Sequence, residues 1–443
     1  MTTASSVDVP QFIAQRGLGR FQTMVVALCA LIVMMDGFDT QAIGYVAPSI
    51  IKAWHVERSA LGPVFAAGLI GLMVGALAFG PIADRIGRRP VLIFCTLFFG
   101  VCALATSTVD SLDKLLLMRF VTGLGLGGAM PNAIALTTEY APPRIRATTI
   151  MIMFCGFSLG AALGGLAAAA LITRFGWQAV FVLGGVAPLV LVVFLLGLLP
   201  ESIRFLVLRG GRGAEVAAIL GRIEPGTRLD ASSVFTIAEH KSDAFVVKQL
   251  FTERRTLLTL LLWLIFFMSL LDLYFLSSWL PTVISDSGVA VSRAVLITAM
   301  FQVGGILGAI SLGWLFDRFS PFRMLALTYL GAAVFVASVG VAGTSIPMLF
   351  GTVFLTGFCV VGGQIAANAL TAESYPTAIR STGVGWALGI GRVGSIIGPV
   401  VGGALLALHW QPRHVLLIGA VPMLIAAASA ISIALSGAAR RVD

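Results

Sequence analysis

Charge is scarce in this chain of 443 residues. Asp, Glu, Lys and Arg make up 11% of it against 58% hydrophobic residues, and the mean hydropathy is +0.99. A soluble protein of this length needs a charged surface, so the shortage excludes a string of ordinary soluble domains. Cysteine is also sparse. Cys29, Cys95, Cys102, Cys155 and Cys359 all fall inside apolar runs with no CxxC spacing, which excludes a disulfide framework and a thiolate metal site. His55, His240, His409 and His414 stand apart in loops or at the ends of runs. No metal or nucleophile constellation is readable, so an enzyme is not expected and no cofactor is called for.

What the chain has instead is long apolar runs. About 20 residues cross a hydrocarbon core of ~30 Å. Runs of that length lie near 22–47, 61–83, 90–109, 113–137, 147–172 and 176–199, and, after a polar stretch, near 256–284, 292–316, 322–342, 346–371, 380–408 and 412–437. The first is too long and too acidic for a cleaved leader. The organisation expected is an all-α membrane protein: an N-terminal six-helix bundle (1–199), a central loop (200–255) with short surface helices, and a C-terminal six-helix bundle (256–443). Placing both termini in the cytoplasm puts 21 Lys and Arg inside and six outside, with two within spans. That topology explains the net charge of +9 through lipid headgroups, without nucleic acid.

The polar punctuation repeats. Gly80-Pro81-Ile82-Ala83-Asp84-Arg85 recurs 233 residues on as Gly313-Trp314-Leu315-Phe316-Asp317-Arg318, and Asp39 and Pro48 recur as Asp272 and Pro281. One residue further out, Leu136-Thr137-Thr138-Glu139 recurs as Leu370-Thr371-Ala372-Glu373. Each glutamate is followed seven residues later by an arginine, Arg146 and Arg380. Two copies of one unit in a membrane are the basis on which secondary transporters rock about a central site. The loop Gly80 to Arg89, with Asp84, Arg85, Arg88 and Arg89, is read as a gate. Its arginines are expected to pair with Glu139 only while the cytoplasmic side is closed, with Asp317, Arg318, Glu373 and Arg380 as the reduced copy. Glycine stripes at Gly156, Gly160, Gly164 and Gly165 and at Gly394, Gly398, Gly402 and Gly403 are expected to pack the halves against each other.

Twelve spans, the GxxxDRxGRR loop and its echo, Arg119 to Gly128 and Pro200-Glu201-Ser202 resemble the major facilitator superfamily. Asp36-Gly37-Phe38-Asp39-Thr40 followed by Ala42 to Pro48 resembles its aromatic acid:proton symporters. That resemblance implies a bacterial inner-membrane importer of benzoate- or hydroxybenzoate-type anions, driven by the proton gradient and functional as a monomer in the bilayer. A symporter of another organic acid, an efflux antiporter and a transporter-like receptor are the alternatives.

Within the membrane, Asp36 and Asp39 share neighbouring parts of one helix face, somewhat outside the middle of the first span. A carboxylate there must pair, face water or carry a proton, so both are candidate proton sites. A brace around a helix broken at Gly37 is the structural alternative. Arg119 and Arg392 are candidate substrate contacts, because a guanidinium offers a planar two-point match to a carboxylate. Arg119 could equally pair with Asp36 or Asp39. Tyr274, Gln364, Asn368 and Trp386 are expected to face the cavity, where aromatic walls and a few amides suit a flat anion. Asp272 has no obvious cation near it in the sequence.

Overall fold

The computed structural model describes residues 6–225, 234–237, 250–252, 255–375, 380–408 and 410–436. Twelve helices among them are long and apolar enough to span a membrane. They are α1 (Arg20–Trp54), α2 (Leu61–Ile86), α3 (Arg88–Thr106), α4 (Leu112–Tyr140), α5 (Arg146–Phe175) and α6 (Gln178–Leu198) in the first half. The second half comprises α7 (Thr256–Asp286), α8 (Val291–Arg318), α9 (Pro321–Val341), α10 (Ile346–Ser374), α11 (Arg380–Ala407) and α12 (Pro412–Ser436). These match the expected runs to within a few residues, except that α1 continues to Trp54. Two short helices, Ile203–Arg209 and Gly213–Ile223, follow α6, and a two-stranded parallel sheet pairs Ser6–Asp8 with Val234–Thr236.

The repeat is legible in the packing. Gly71 and Gly75 of α2 lie against the Phe120 and Leu124 carbonyls of α4. Gly304 and Gly308 of α8 lie against the Phe354 and Phe358 carbonyls of α10 in the same way. A side chain at any of these four sites would meet backbone, so glycine is what lets the paired helices touch.

The other two glycine stripes correct an expectation. Gly156 and Gly160 of α5 lie against the Ala30 and Met34 carbonyls of α1, and Gly394 and Gly398 of α11 against the Phe267 and Leu271 carbonyls of α7. They close packing within each half. Only the last glycine of each stripe reaches across, Gly165 to Ala299 and Gly403 to Gly62. Four-residue spacing marks a helix face but does not say which neighbour covers it. Gly160→Ala should therefore destabilise the first half by about 1–3 kcal/mol, the usual cost of overpacking a filled core. A lowered midpoint in detergent thermal unfolding checks this. An unchanged midpoint would mean that α1 and α5 can separate freely.

Between the halves, α5 meets α8, α2 meets α11 and α1 meets α7. The close contacts gather at the end remote from the arginine-rich loops. There Gly62 meets Gly403, Gly44 meets the Ser277 carbonyl, the Phe65 and Trp279 rings lie edge to face at 5.0 Å, and Arg58 pairs with Asp286 at 2.9 Å. At the arginine-rich end, Gly80, Gly313, Gly385 and Gly389 have open space where a Cβ would project, and Leu77 is 72% exposed. The molecule is closed at one end and parted at the other.

Candidate functional site

Helix α1 carries the acids. It runs unbroken for 35 residues through Gly37, which corrects the expected off-centre position and removes the alternative of a brace around a broken helix. Asp36 and Asp39 flank its midpoint, and Gly37 serves packing by lying against the Phe157 carbonyl of α5. Both carboxylates are buried.

Asp39 has a partner. Arg119 of α4 places Nη2 at 2.9 Å from Asp39 Oδ2 and 3.3 Å from the Asp39 carbonyl, with 3% and 1% of the two side chains exposed. The guanidinium faces Gly68 of α2 and lies 6.0 Å from the Phe181 ring centroid of α6. Its Nε and Nη1 are buried and make no hydrogen bond among the described residues. A guanidinium has five donors and a buried donor without an acceptor is costly, so Arg119 is only partly satisfied by Asp39.

Among the described residues Asp36 has no arginine in contact. Thr40 donates its hydroxyl to Asp36 Oδ1 at 3.0 Å, and Oδ2 has no hydrogen-bond partner among them. Arg392 of α11, in the other half, places its Nη1 3.3 Å from the Tyr274 hydroxyl. Thr40, Phe65, Arg119, Tyr274 and Ser278 line one small cavity drawn from both halves. It holds about 20 Å³, room for a water but not for an aromatic ring. Thr40, Phe65 and Ser278 were not singled out in the sequence. Thr40, four residues after Asp36 and so on the same helix face, was the one with a readable signal.

Three expected cavity residues, Gln364, Asn368 and Trp386, do not line this small cavity. Gln364 is buried within the second half, accepting from Ser269 at 2.5 Å and donating to Asn368 at 3.2 Å. Gln364 is thus satisfied by α7 and by Asn368, and Asn368 is itself half-buried. Trp386 stacks on Trp263 at 5.6 Å, 43% exposed, about 9 Å along α11 from Arg392 toward the arginine-rich end.

Asp272, the echo of Asp39, is fully buried in α7 facing Gly419 of α12, and neither oxygen has a hydrogen-bond partner among the described residues. The positions that echo Arg119 are Thr352 and Val353, so the second half kept the acid and not the cation. An unpaired carboxylate in that setting is tolerated as the neutral acid. Asp272→Asn, a neutral isostere, should keep uptake within about twofold of wild type, the scale of a near-neutral swap. Vesicle uptake measures this, and loss of uptake would show that Asp272 releases its proton during transport.

The gate residues need one correction. Arg88 and Glu139 are joined, as expected, but both belong to the first half, and they are joined while the arginine-rich end stands open. Glu139 also accepts from the Ser202 hydroxyl at 2.6 Å, and Glu201 Oε1 accepts from the Arg88 and Arg89 backbone N–H groups at 2.8 and 3.1 Å. Glu201, unassigned in the sequence, thus caps α3. The pair braces α3 to α4 and to the segment after α6. Asp84 and Arg85 are exposed, Arg146 is half-buried, Glu373 is exposed, and Arg318 lies over the Trp314 ring at 4.0 Å. The side chains of Asp317 and Arg380 lie outside the described residues.

Residues 29–345 and 262–438 match the model of the Major Facilitator Superfamily. The chain belongs to that superfamily. It is 44% identical to the 4-hydroxybenzoate transporter PcaK of Pseudomonas putida over 96% of its own length and 95% of that protein. It is 43% identical to a gallate transporter of Pseudomonas putida, covering 91% and 89% of the two chains. Identity to the benzoate transport protein of Acinetobacter baylyi is 33%, over 91% and 87%. Among solved structures, an inward-facing bacterial homologue of the lysosomal transporter Spinster superposes with a TM-score of 0.74 at 18% identity, over 96% of this chain and all of that one. The xylose transporter XylE of Escherichia coli, inward open, gives 0.70 at 17%, over 95% and 96%. This superfamily member is a multi-pass bacterial membrane transporter and not an enzyme.

Proposed function

We propose that this transporter imports a small aromatic carboxylate of the benzoate and hydroxybenzoate class together with protons, across the bacterial inner membrane, by alternating access. The observation that carries the reading is Arg119: a buried guanidinium at a cavity built from both halves, held by Asp39 on one side and with Nε and Nη1 unpaired on the other. A carboxylate is the acceptor that fits those donors. The names of the relatives, transporters of 4-hydroxybenzoate, gallate and benzoate, support an aromatic ring on it.

In the cycle proposed, a proton on Asp39 weakens the hold on Arg119, and the substrate anion takes the freed donors. Arg392, set by Tyr274, adds a second positive charge from the other half. Both termini lie in the cytoplasm on the balance of Lys and Arg, so the parted end faces inward. The small cavity over Arg119 then belongs to an inward-open state. Closing the inner end would bring Asp84 toward α11 while the Arg88–Glu139 brace stays intact. No cofactor is required beyond the proton gradient, and one chain contains the whole site.

The test is uptake of labelled 4-hydroxybenzoate, benzoate and gallate into liposomes holding the purified protein, under an imposed pH gradient. Accumulation that collapses with a protonophore supports the reading. Uptake indifferent to the protonophore removes proton coupling, and competition by benzamide equal to that by benzoate removes carboxylate recognition.

A further inference from the structure

Three residues with hydroxyl groups line the central cavity, Thr40, Tyr274 and Ser278. Two of the three are engaged. Thr40 donates to Asp36 at 3.0 Å, and Tyr274 accepts from Arg392 at 3.3 Å. Ser278 differs. Serine and threonine within a helix commonly donate to the carbonyl one turn back. Thr298 does so to Ala294 at 2.9 Å, and Ser338 to Val334 at 2.7 Å. Ser278 is 9% exposed, and its hydroxyl makes no hydrogen bond among the described residues, neither to its own helix nor to a neighbour.

The walls of the cavity divide by half. The first half supplies Arg119 and the apolar side chains of Ile43, Phe65, Leu69, Leu72 and Leu126, and the second supplies Tyr274 and Ser278. The donors of Arg119 that Asp39 leaves over fix where a carboxylate binds. A ring attached to that carboxylate lies along the apolar side chains of the same half, and its far edge meets the hydroxyl groups of the other. Beside the cavity Phe65 and Trp279 stand edge to face at 5.0 Å, and the space left is about 20 Å³. A ring therefore enters when α2 and α7 are further apart than they are here, and Ser278 travels with α7.

We infer that Ser278 hydrogen-bonds a ring hydroxyl of the substrate and so makes the transporter prefer hydroxybenzoates to benzoate. The inference rests on the carboxylate reading of Arg119 and adds the group that recognises the other end of the molecule. A serine hydroxyl and a phenol can each donate and accept, so the pair is complementary either way round. Benzoate offers no partner and leaves the serine hydroxyl unpaired against an apolar ring edge. Discrimination comes from that difference, because a site made to bond a hydroxyl binds the analogue without it less well.

The test is equilibrium binding of 4-hydroxybenzoate and benzoate to the purified full-length protein. The wild type should bind 4-hydroxybenzoate more tightly, and Ser278→Ala should cut that ratio of affinities roughly three- to tenfold, the scale of one neutral hydrogen bond. Alanine is the best helix former and removes a single oxygen, so α7 is kept. 4-Fluorobenzoate has nearly the same shape without the hydroxyl and should bind the wild type as benzoate does, which tests the ring hydroxyl with no substitution at all. Ser277, the next residue, has a buried and unbonded hydroxyl that does not line the cavity, and Ser277→Ala should keep the wild-type ratio. An unchanged ratio in Ser278→Ala overturns the proposal, as does an equal loss for both acids, which would mean packing alone. The same fall in Ser277→Ala, or 4-fluorobenzoate bound as tightly as 4-hydroxybenzoate, overturns it too. Failure of the carboxylate reading looks different. A wild type that binds neither acid, or binds benzamide as well as benzoate, removes both readings, whereas binding of both acids with an unchanged ratio removes Ser278 alone.

Discussion

Arg119→Lys should lower the affinity for aromatic carboxylates by roughly ten- to hundredfold, although the charge survives. The guanidinium holds Asp39 through Nη2 and keeps Nε and Nη1 for a second acceptor. An ammonium is a compact point charge and lacks the planar, paired donors that match one carboxylate while another is held. Losing one charge-assisted hydrogen bond costs about 1.5–3 kcal/mol, which sets the expected range. If Arg119 only braced Asp39, the lysine could keep the ion pair and binding would change little. Equilibrium binding of 4-hydroxybenzoate to the purified variant separates the two. Wild-type affinity in Arg119→Lys would end the assignment of Arg119 to the substrate, whatever happens to uptake.

The architecture was legible in the sequence because it rests on one-dimensional signals. Apolar runs of spanning length, the Lys and Arg bias and a repeat of 233 residues need no knowledge of neighbours. The packing at Gly71 and Gly304 repeats with the same offset. The Asp39–Arg119 pair was also within reach, since a lone arginine inside a span must find an acid. The expected residues that do not line the small cavity share a reason. Gln364, Asn368 and Trp386 are polar or aromatic side chains in spans, and their periodicity shows a face without saying whether that face meets water or another helix. Ser269 and Trp263, the groups that satisfy Gln364 and cover Trp386, lie about a hundred residues away and carry no marker of the pairing. Arg88 and Glu139 paired as expected, but whether a pair spans the seam depends on which helices meet, and the motif alone does not encode that.

Asp39→Asn should abolish proton-driven accumulation and leave substrate exchange working. Of the two acids on α1, Asp39 is the one in contact with Arg119, while Asp36 holds the Thr40 hydroxyl and has one oxygen with no hydrogen-bond partner. Asparagine imitates the protonated acid permanently, so it should mimic the form in which Arg119 is released to the substrate. Binding should therefore be kept or tightened, and counterflow of labelled for unlabelled substrate should persist because it needs no net proton movement. The same change leaves a buried guanidinium without its anion, and breaking a buried pair costs about 3–5 kcal/mol. A lowered unfolding midpoint, restored in part by saturating substrate, should accompany the loss of accumulation. Asp36→Asn breaks no ion pair and should leave the midpoint near wild type, which makes it the control for burial alone. Two results would sink this account. Full accumulation in Asp39→Asn would move the coupling proton elsewhere, with Asp36 next in line. Loss of exchange together with loss of binding would show that the Asp39 charge builds the site instead of competing for it.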